Sequence, residues 1–133
     1  MLIRAELVAE VVAEASQKMS DANFSAVLVG EFVQCQAAAA RYISSHENEL
    51  DGATGVVNTV FHAALLSRCF YRAQNRDVPT MRFEDLDHVA GSDAESRLKD
   101  KQPALLEYIE ANVENPTMRK VLVLLALAMD WVS

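Results

Sequence analysis

The chain has 133 residues, of which 51% are apolar and 23% charged, and its formal charge at pH 7 is −7. This length suits one ordinary domain, residues 1–133, and the apolar fraction is too high for a disordered chain. Four glycines and three prolines are too few for a turn-dense β-sandwich. The acidic excess also argues against nucleic-acid binding, because phosphate contacts require a basic surface.

The apolar segments are too short or too interrupted for a membrane protein. The longest run, Val121–Met129, falls well short of the roughly 20 residues that cross a bilayer. Acidic residues at positions 6, 10 and 14 interrupt the N-terminal segment, so we expect no signal peptide and a cytoplasmic protein. Cys35 and Cys69 both lie in helical patterns, and we expect buried thiols.

Helical periodicity dominates the first half of the chain. Apolar residues recur at steps of three and four over residues 3–18, which predicts a first helix with an acidic outer face. A polar cap at Ser20 or Asp21 begins a second helix that we predict to run to about Ser45. Acids and a glycine break the pattern over residues 46–54, which predicts a loop.

The second half predicts further helices of unequal length. A long one follows Thr54 and ends near Arg76, before Pro79. Two short helical segments fit residues 82–90 and 92–99. Proline at a first helical position begins two more. These two predicted helices cover residues 103–113 and 116–132.

The last predicted helix is apolar on every side over Val121–Met129, so it must be enclosed. It is either the centre of the fold or part of a twofold interface between two copies, and we favour the homodimer. Trp131, just beyond this run, either closes the core or lies at an interface, and we favour closure of the core. The predicted fold is thus an all-α bundle of five to six helices with an apolar C-terminal helix at its centre or at a dimer interface.

Two groups of acids and histidines have spacings that could suit a metal ion. The first comprises His46, Glu47 and Glu49, and the second Glu84, Asp87 and His88. Imidazole with carboxylate suits zinc or iron, and carboxylate alone suits magnesium. His62 could join the first group if the adjoining helices form a hairpin. We favour the alternative of a solvated loop and a histidine stabilised by a helix end, and assign neither metal nor cofactor.

The stretch Glu84–Asp87 also satisfies the pattern E-x-x-D. Magnesium-dependent all-α pyrophosphohydrolases of the MazG type pair such a helix with an upstream E-E-x-x-E helix. Nothing upstream in this chain satisfies the second pattern. A carboxylate-metal phosphohydrolase is therefore an alternative interpretation of this sequence and not the leading one.

Three arginines at positions i, i+4 and i+8, namely Arg68, Arg72 and Arg76, form a basic stripe on one helix. Guanidinium groups suit bidentate binding of carboxylate or phosphate, which suggests a site for an anion or an acidic partner. The stripe could instead face the acids of the first helix, or stay in water near the helix C-terminus.

No catalytic motif appears, so the leading interpretation is a non-catalytic protein. We expect an adaptor, a regulator or an immunity-type factor that acts through protein–protein interaction, as a homodimer and with an unidentified protein partner. The alternatives are the magnesium-dependent phosphohydrolase and an anion or small-ligand sensor that uses Arg68, Arg72 and Arg76.

Overall fold

A computed structural model describes all residues 1–133 and is entirely helical apart from its connections. The all-α prediction is confirmed. The helices are α1 (Ala5–Lys18), α2 (Ala22–Cys35), α3 (Ala37–Ser44), α4 (Gly52–Gln74), α5 (Phe83–Val89), α6 (Ala94–Lys101), α7 (Pro103–Asn112) and α8 (Pro116–Val132). A short 3-10 helix, Glu47–Leu50, joins α3 to α4.

Local capping explains why several predicted boundaries agree with the structure. The Asp21 carboxylate accepts a hydrogen bond from the N–H of Asn23, and so caps α2. The Asn115 side chain does the same for the N–H of Met118 at the start of α8. Pro103 and Pro116 occupy first helical positions, where the missing N–H costs nothing.

The prediction of five to six helices is wrong, because there are eight α-helices. The largest difference is at Gln36, where φ is −129° and ψ is 56°, so that the expected second helix is divided into α2 and α3. The side chain of Gln36 reaches a distant segment of backbone. Its Oε1 accepts from the N–H of Met81, and its Nε2 donates to the carbonyls of Val78 and Pro79.

The predicted loop at 46–54 is largely helical. Asp51 and Gly52 take left-handed backbone conformations, with φ of 66° and 80°, and turn the chain from the 3-10 helix into α4. Gly55 then lies against the carbonyl of Leu50, where a Cβ atom would come within 1.3 Å of the oxygen. Only glycine allows this approach.

Helix α8 lies at the centre of the molecule and contacts α4, α5, α6 and α7. Every residue from Val121 to Met129 is at most 8% exposed within a single chain. The structure therefore shows the first of the two alternatives for this helix, and enclosing it requires no second copy. No helix combines the length and the apolar character that a membrane span needs.

The fold contains an internal pseudo-twofold repeat that the sequence analysis did not detect. Helix α1 packs against α4 and α7, and its counterpart α5 packs against α8 and α3. Likewise α2 packs on α3 and α4, as α6 packs on α7 and α8. The 3-10 helix is the one element without a counterpart. Two four-helix halves thus meet through the central pair α4 and α8.

A sequence signal accompanies this repeat. Residues 36–43 read Q-A-A-A-A-R-Y-I and residues 102–109 read Q-P-A-L-L-E-Y-I. The leading glutamines, Gln36 and Gln102, are both buried and each separates two consecutive helices. Each also hydrogen-bonds the extended segment before the first helix of the opposite half, at Met81 and Ile3 respectively.

Candidate functional site

The first predicted group of ligands does not converge. His46 is half-buried beside Tyr42, with its Nδ1 3.0 Å from the carbonyl oxygen of that residue. Glu47 and Glu49 are exposed on the 3-10 helix. His62 does not join them, because its Nδ1 lies 2.7 Å from the hydroxyl of Tyr108 on α7.

The second group also disperses. Glu84 and Asp87 are exposed on α5, while Asp85 caps the helix by accepting from the N–H of Arg82. His88 stacks on Trp131. Nowhere in the chain do three or more histidine, cysteine, aspartate or glutamate side chains come close enough to hold a metal ion. The arrangement therefore lends no support to carboxylate-metal chemistry.

The arginine stripe is partly engaged within the chain. Arg72 donates to Glu14 on α1 and lies 4.0 Å from Glu10, which matches the pairing alternative. The hydrogen bond from Arg72 lowers the pKa of the Glu14 carboxyl. Arg68 is half-buried and Arg76 exposed, and neither forms an ion pair. The stripe therefore does not present three unpaired guanidinium groups to an anion.

An exposed aromatic pair lies at the C-terminal end of α8. The Trp131 side chain is 55% exposed, so the expectation that it closes the core is wrong. Its ring stacks on that of His88, with centroids 4.0 Å apart and planes 24° from parallel. We call Trp131 and His88 the aromatic pair. Helix packing orients the two rings in advance, because α5 and α8 hold one each.

A buried glutamine braces the same end of α8. The Nε2 of Gln102 donates to the carboxylate of Asp130 and to the carbonyl of Met1. Met1 and Leu2 are both more than 60% exposed. Exposed apolar side chains from the N-terminus therefore lie at the same end of the bundle as the aromatic pair.

A second apolar surface lies on the outside of α2. This helix has one charged residue in fourteen, Glu31, but only Leu28 and Phe32 are buried. Its outer side exposes the uncharged polar side chains of Asn23 and Gln34 and, beside them, small and apolar residues. We call these residues, Ala26, Val27, Gly30 and Val33, the α2 face. Val27 is 55% exposed, and a Cβ atom at Gly30 would meet nothing within 4 Å.

The α2 face continues into a shallow groove of about 510 Å³ between the α2–α3 junction and the start of α5. Cys35 and Phe83 line this groove, and Phe83 is 47% exposed. Cys35 is exposed, which corrects the expectation of a buried thiol. Cys69 is buried as expected, and burial raises the pKa of its thiol to about 12.

A larger cleft of about 630 Å³ lies between α7, α8 and the α5–α6 connection. Its floor is apolar, with Ile109 and Val123. Lys120 and Arg119 are at its edge, but so are Glu95 and Glu110, and Arg119 already donates to the carbonyls of α7 and its end. The mixed charges favour neither an anionic nor a cationic ligand.

Sequence reasoning missed Gln36 and Gln102, the aromatic pair and the α2 face. The shared Q-x-A-x-x-x-Y-I pattern was available in the sequence and could have revealed the glutamines. The low charge of α2 was also visible, but periodicity alone could not show which side of α2 would be covered. No known family model, no curated protein and no solved structure matches this chain.

Proposed function

We propose that this protein is a non-catalytic helical module that acts by binding another protein, as an adaptor, a regulator or an immunity-type factor. The observation that carries the proposal is the aromatic pair, in which Trp131 is 55% exposed and already stacked on His88. Tryptophan is among the residues that contribute most to protein–protein binding when a partner covers it.

Two physical points support a contact at this position. The ring orientation of Trp131 is set before binding, so less side-chain entropy is lost when a partner covers it. The exposed side chains of Met1 and Leu2 lie at the same end of the bundle. A partner that covers the pair would remove this surface from water.

Homodimerisation is also part of the proposal, but the reason for it differs from the one that the sequence suggested. Because α8 is enclosed by its own chain, it gives no reason for a dimer. Helix α2 does, because its apolar outer face is uncovered. A metal-dependent reaction and an anion sensor built on Arg68, Arg72 and Arg76 have no comparable support, since the acids are dispersed and Arg72 is paired.

The test is capture of partners from the native lysate by the tagged full chain, followed by mass spectrometry. We expect a partner that the wild type and Tyr71→Ala both retain and that Trp131→Ala loses. Tyr71 is a matched control because it is an aromatic residue exposed to 47% on a different helix.

With the captured partner purified, Trp131→Ala should weaken binding by about 2 kcal/mol or more, roughly thirtyfold in Kd. Circular dichroism should show unchanged helicity in both variants. Equal retention of every partner by Trp131→Ala and the wild type would refute the aromatic pair as the binding site.

A further inference from the structure

The pseudo-twofold repeat provides an internal comparison for α2. Its counterpart, α6, occupies the equivalent position on the other half and packs on α7 and α8 as α2 packs on α3 and α4. Five of the eight residues of α6 are charged, as is usual for a helix with one side in water. Helix α2 occupies the corresponding position, but only one of its fourteen residues is charged.

The fold of a single chain does not explain this difference in charge between α2 and α6. Both helices bury one side against a central helix, and neither needs an apolar outer side for that purpose. Exposed apolar residues that lie together on one side of a helix are typical of a binding site on a folded protein. From this asymmetry we infer that the α2 face is the contact surface of a homodimer, in which α2 of one chain packs against α2 of a second copy.

Shape favours a second copy as the occupant. Gly30 lies in the middle of the α2 face with open space beyond its Cα, and Ala26 lies one turn before it. Small residues at this spacing let two helix backbones cross closely. A twofold axis near Gly30 would bring the same small residues of both copies together, which an isologous contact requires.

Charge favours it as well. Each chain carries a formal charge of −7, so two copies repel unless they meet where acids are few. The α2 face has only Glu31 nearby, whereas α1 carries acids along its outer side. Arg82 and Glu84 line the adjoining groove, so this end of the surface offers both signs of charge for pairing across a twofold axis.

A specific dimer buries more than about 1,000 Å² in total, which one pair of short helices does not reach comfortably. The interface must therefore extend beyond α2, and the groove adjoins it. Phe83, exposed to 47% beside the groove, continues the apolar surface from the end of α2 to the start of α5. The proposed interface therefore comprises the α2 face, the groove and Phe83.

The first experiment measures oligomeric state by sedimentation velocity on the full chain over a range of concentrations. We expect a wild-type dimer that Gly30→Arg weakens at least tenfold. Because nothing lies within 4 Å of the position, this variant should keep the wild-type helicity. Ser96→Arg, at an exposed position on α6, is the matched control and should remain dimeric.

The second experiment tests the twofold axis itself. Gly30→Cys in a Cys35→Ala background should form an intermolecular disulfide under mild oxidation, because the two copies of position 30 would face each other. Ser96→Cys in the same background should not. A wild type that stays monomeric, or a dimer that Gly30→Arg leaves intact, would overturn the inference.

Vesicle flotation distinguishes a lipid surface, as the occupant of the α2 face, from a second copy of the chain. If α2 were covered by lipid, a monomeric wild type would float with phosphatidylcholine and phosphatidylglycerol vesicles and Gly30→Arg would not, which would also overturn the inference. The homodimer does not depend on the aromatic pair, since Trp131→Ala should leave the dimer unchanged. Failure of partner capture and failure of dimerisation are thus distinguishable.

Discussion

The side-chain oxygen of Gln102 accepts a hydrogen bond from the backbone N–H of Ile3, 2.9 Å away, although 99 positions separate the two residues in the chain. The amide group of the same side chain donates to the carbonyl of Met1 and the carboxylate of Asp130. One buried glutamine thus joins the N-terminal segment, the α6–α7 junction and the end of α8. Gln36 holds the segment around Met81 in the same manner.

Replacing Gln102 by leucine should therefore destabilise the protein by about 1–3 kcal/mol, because the buried N–H of Ile3 would lose its acceptor. Urea unfolding followed by circular dichroism measures the change, and Gln36→Leu should behave alike. Gln17→Ala is the control, since Gln17 is an exposed glutamine on α1. A loss no larger for Gln102→Leu than for Gln17→Ala would contradict a structural role for the buried glutamine.

The ion pair between α1 and α4 predicts a stability effect of Arg72. Arg72→Glu places an acid beside Glu14 and Glu10, so the melting temperature should fall, and the difference should shrink at roughly 1 M salt as the charges are screened. The double variant Glu14→Arg with Arg72→Glu should recover part of the loss. Arg76→Glu, at an unpaired exposed position, serves as the comparison; an equal fall in both single variants would argue against the pairing.

The half-buried contact between His62 and Tyr108 predicts a pH dependence of stability. Burial lowers the pKa of His62 below its ordinary value of 6.5, so the unfolded chain takes up a proton more readily than the folded one. The free energy of unfolding should be steady above pH 6.5 and fall as the pH is lowered from there towards 5.5. For one proton the slope cannot exceed about 1.4 kcal/mol per pH unit, and the partial exposure of the ring reduces it.

Urea unfolding at pH 7.5, 6.5 and 5.5, about one unit on either side of the ordinary value, measures this slope. His62→Gln should flatten it, because glutamine does not titrate. His88→Asn changes an exposed histidine and should keep the wild-type slope. A slope that survives in His62→Gln would show that another group is responsible.

Two glycines should respond in opposite ways to alanine. A Cβ atom at Gly55 would meet the carbonyl oxygen of Leu50 at 1.3 Å, so Gly55→Ala should destabilise the protein by at least the roughly 1–3 kcal/mol that is usual for overpacking. Gly30 has open space within its own chain and a helical backbone, so Gly30→Ala should stabilise the folded chain by roughly 1 kcal/mol at protein concentrations low enough to keep it monomeric. Thermal unfolding compares the two variants directly, and similar melting temperatures would contradict the close approach at Gly55.

Helix content and many boundaries could be read from the sequence because their causes are local. Polar caps and first-position prolines satisfy or remove the free N–H groups at the starts of helices, and they act within one turn. The starts of α7 and α8 were predicted on this basis and are confirmed. The division at Gln36 could not be read in this way, because its hydrogen-bond partners lie 42 to 45 positions further along the chain.

The positions of the candidate surfaces could be predicted from the sequence even less than the helix boundaries, because they depend on the tertiary structure. The sequence by itself determined that Val121–Met129 must be enclosed, because a helix apolar on every side has no stable position in water. Only the packing of α4, α5, α6 and α7 decided that a single chain encloses it. The same packing leaves Trp131 and the α2 face exposed. The pattern of a helix shows which of its residues are apolar, but it does not show which other helices will cover them. That choice is made by contacts between distant segments, and it is what separates the core of this protein from the surfaces proposed to bind its partners.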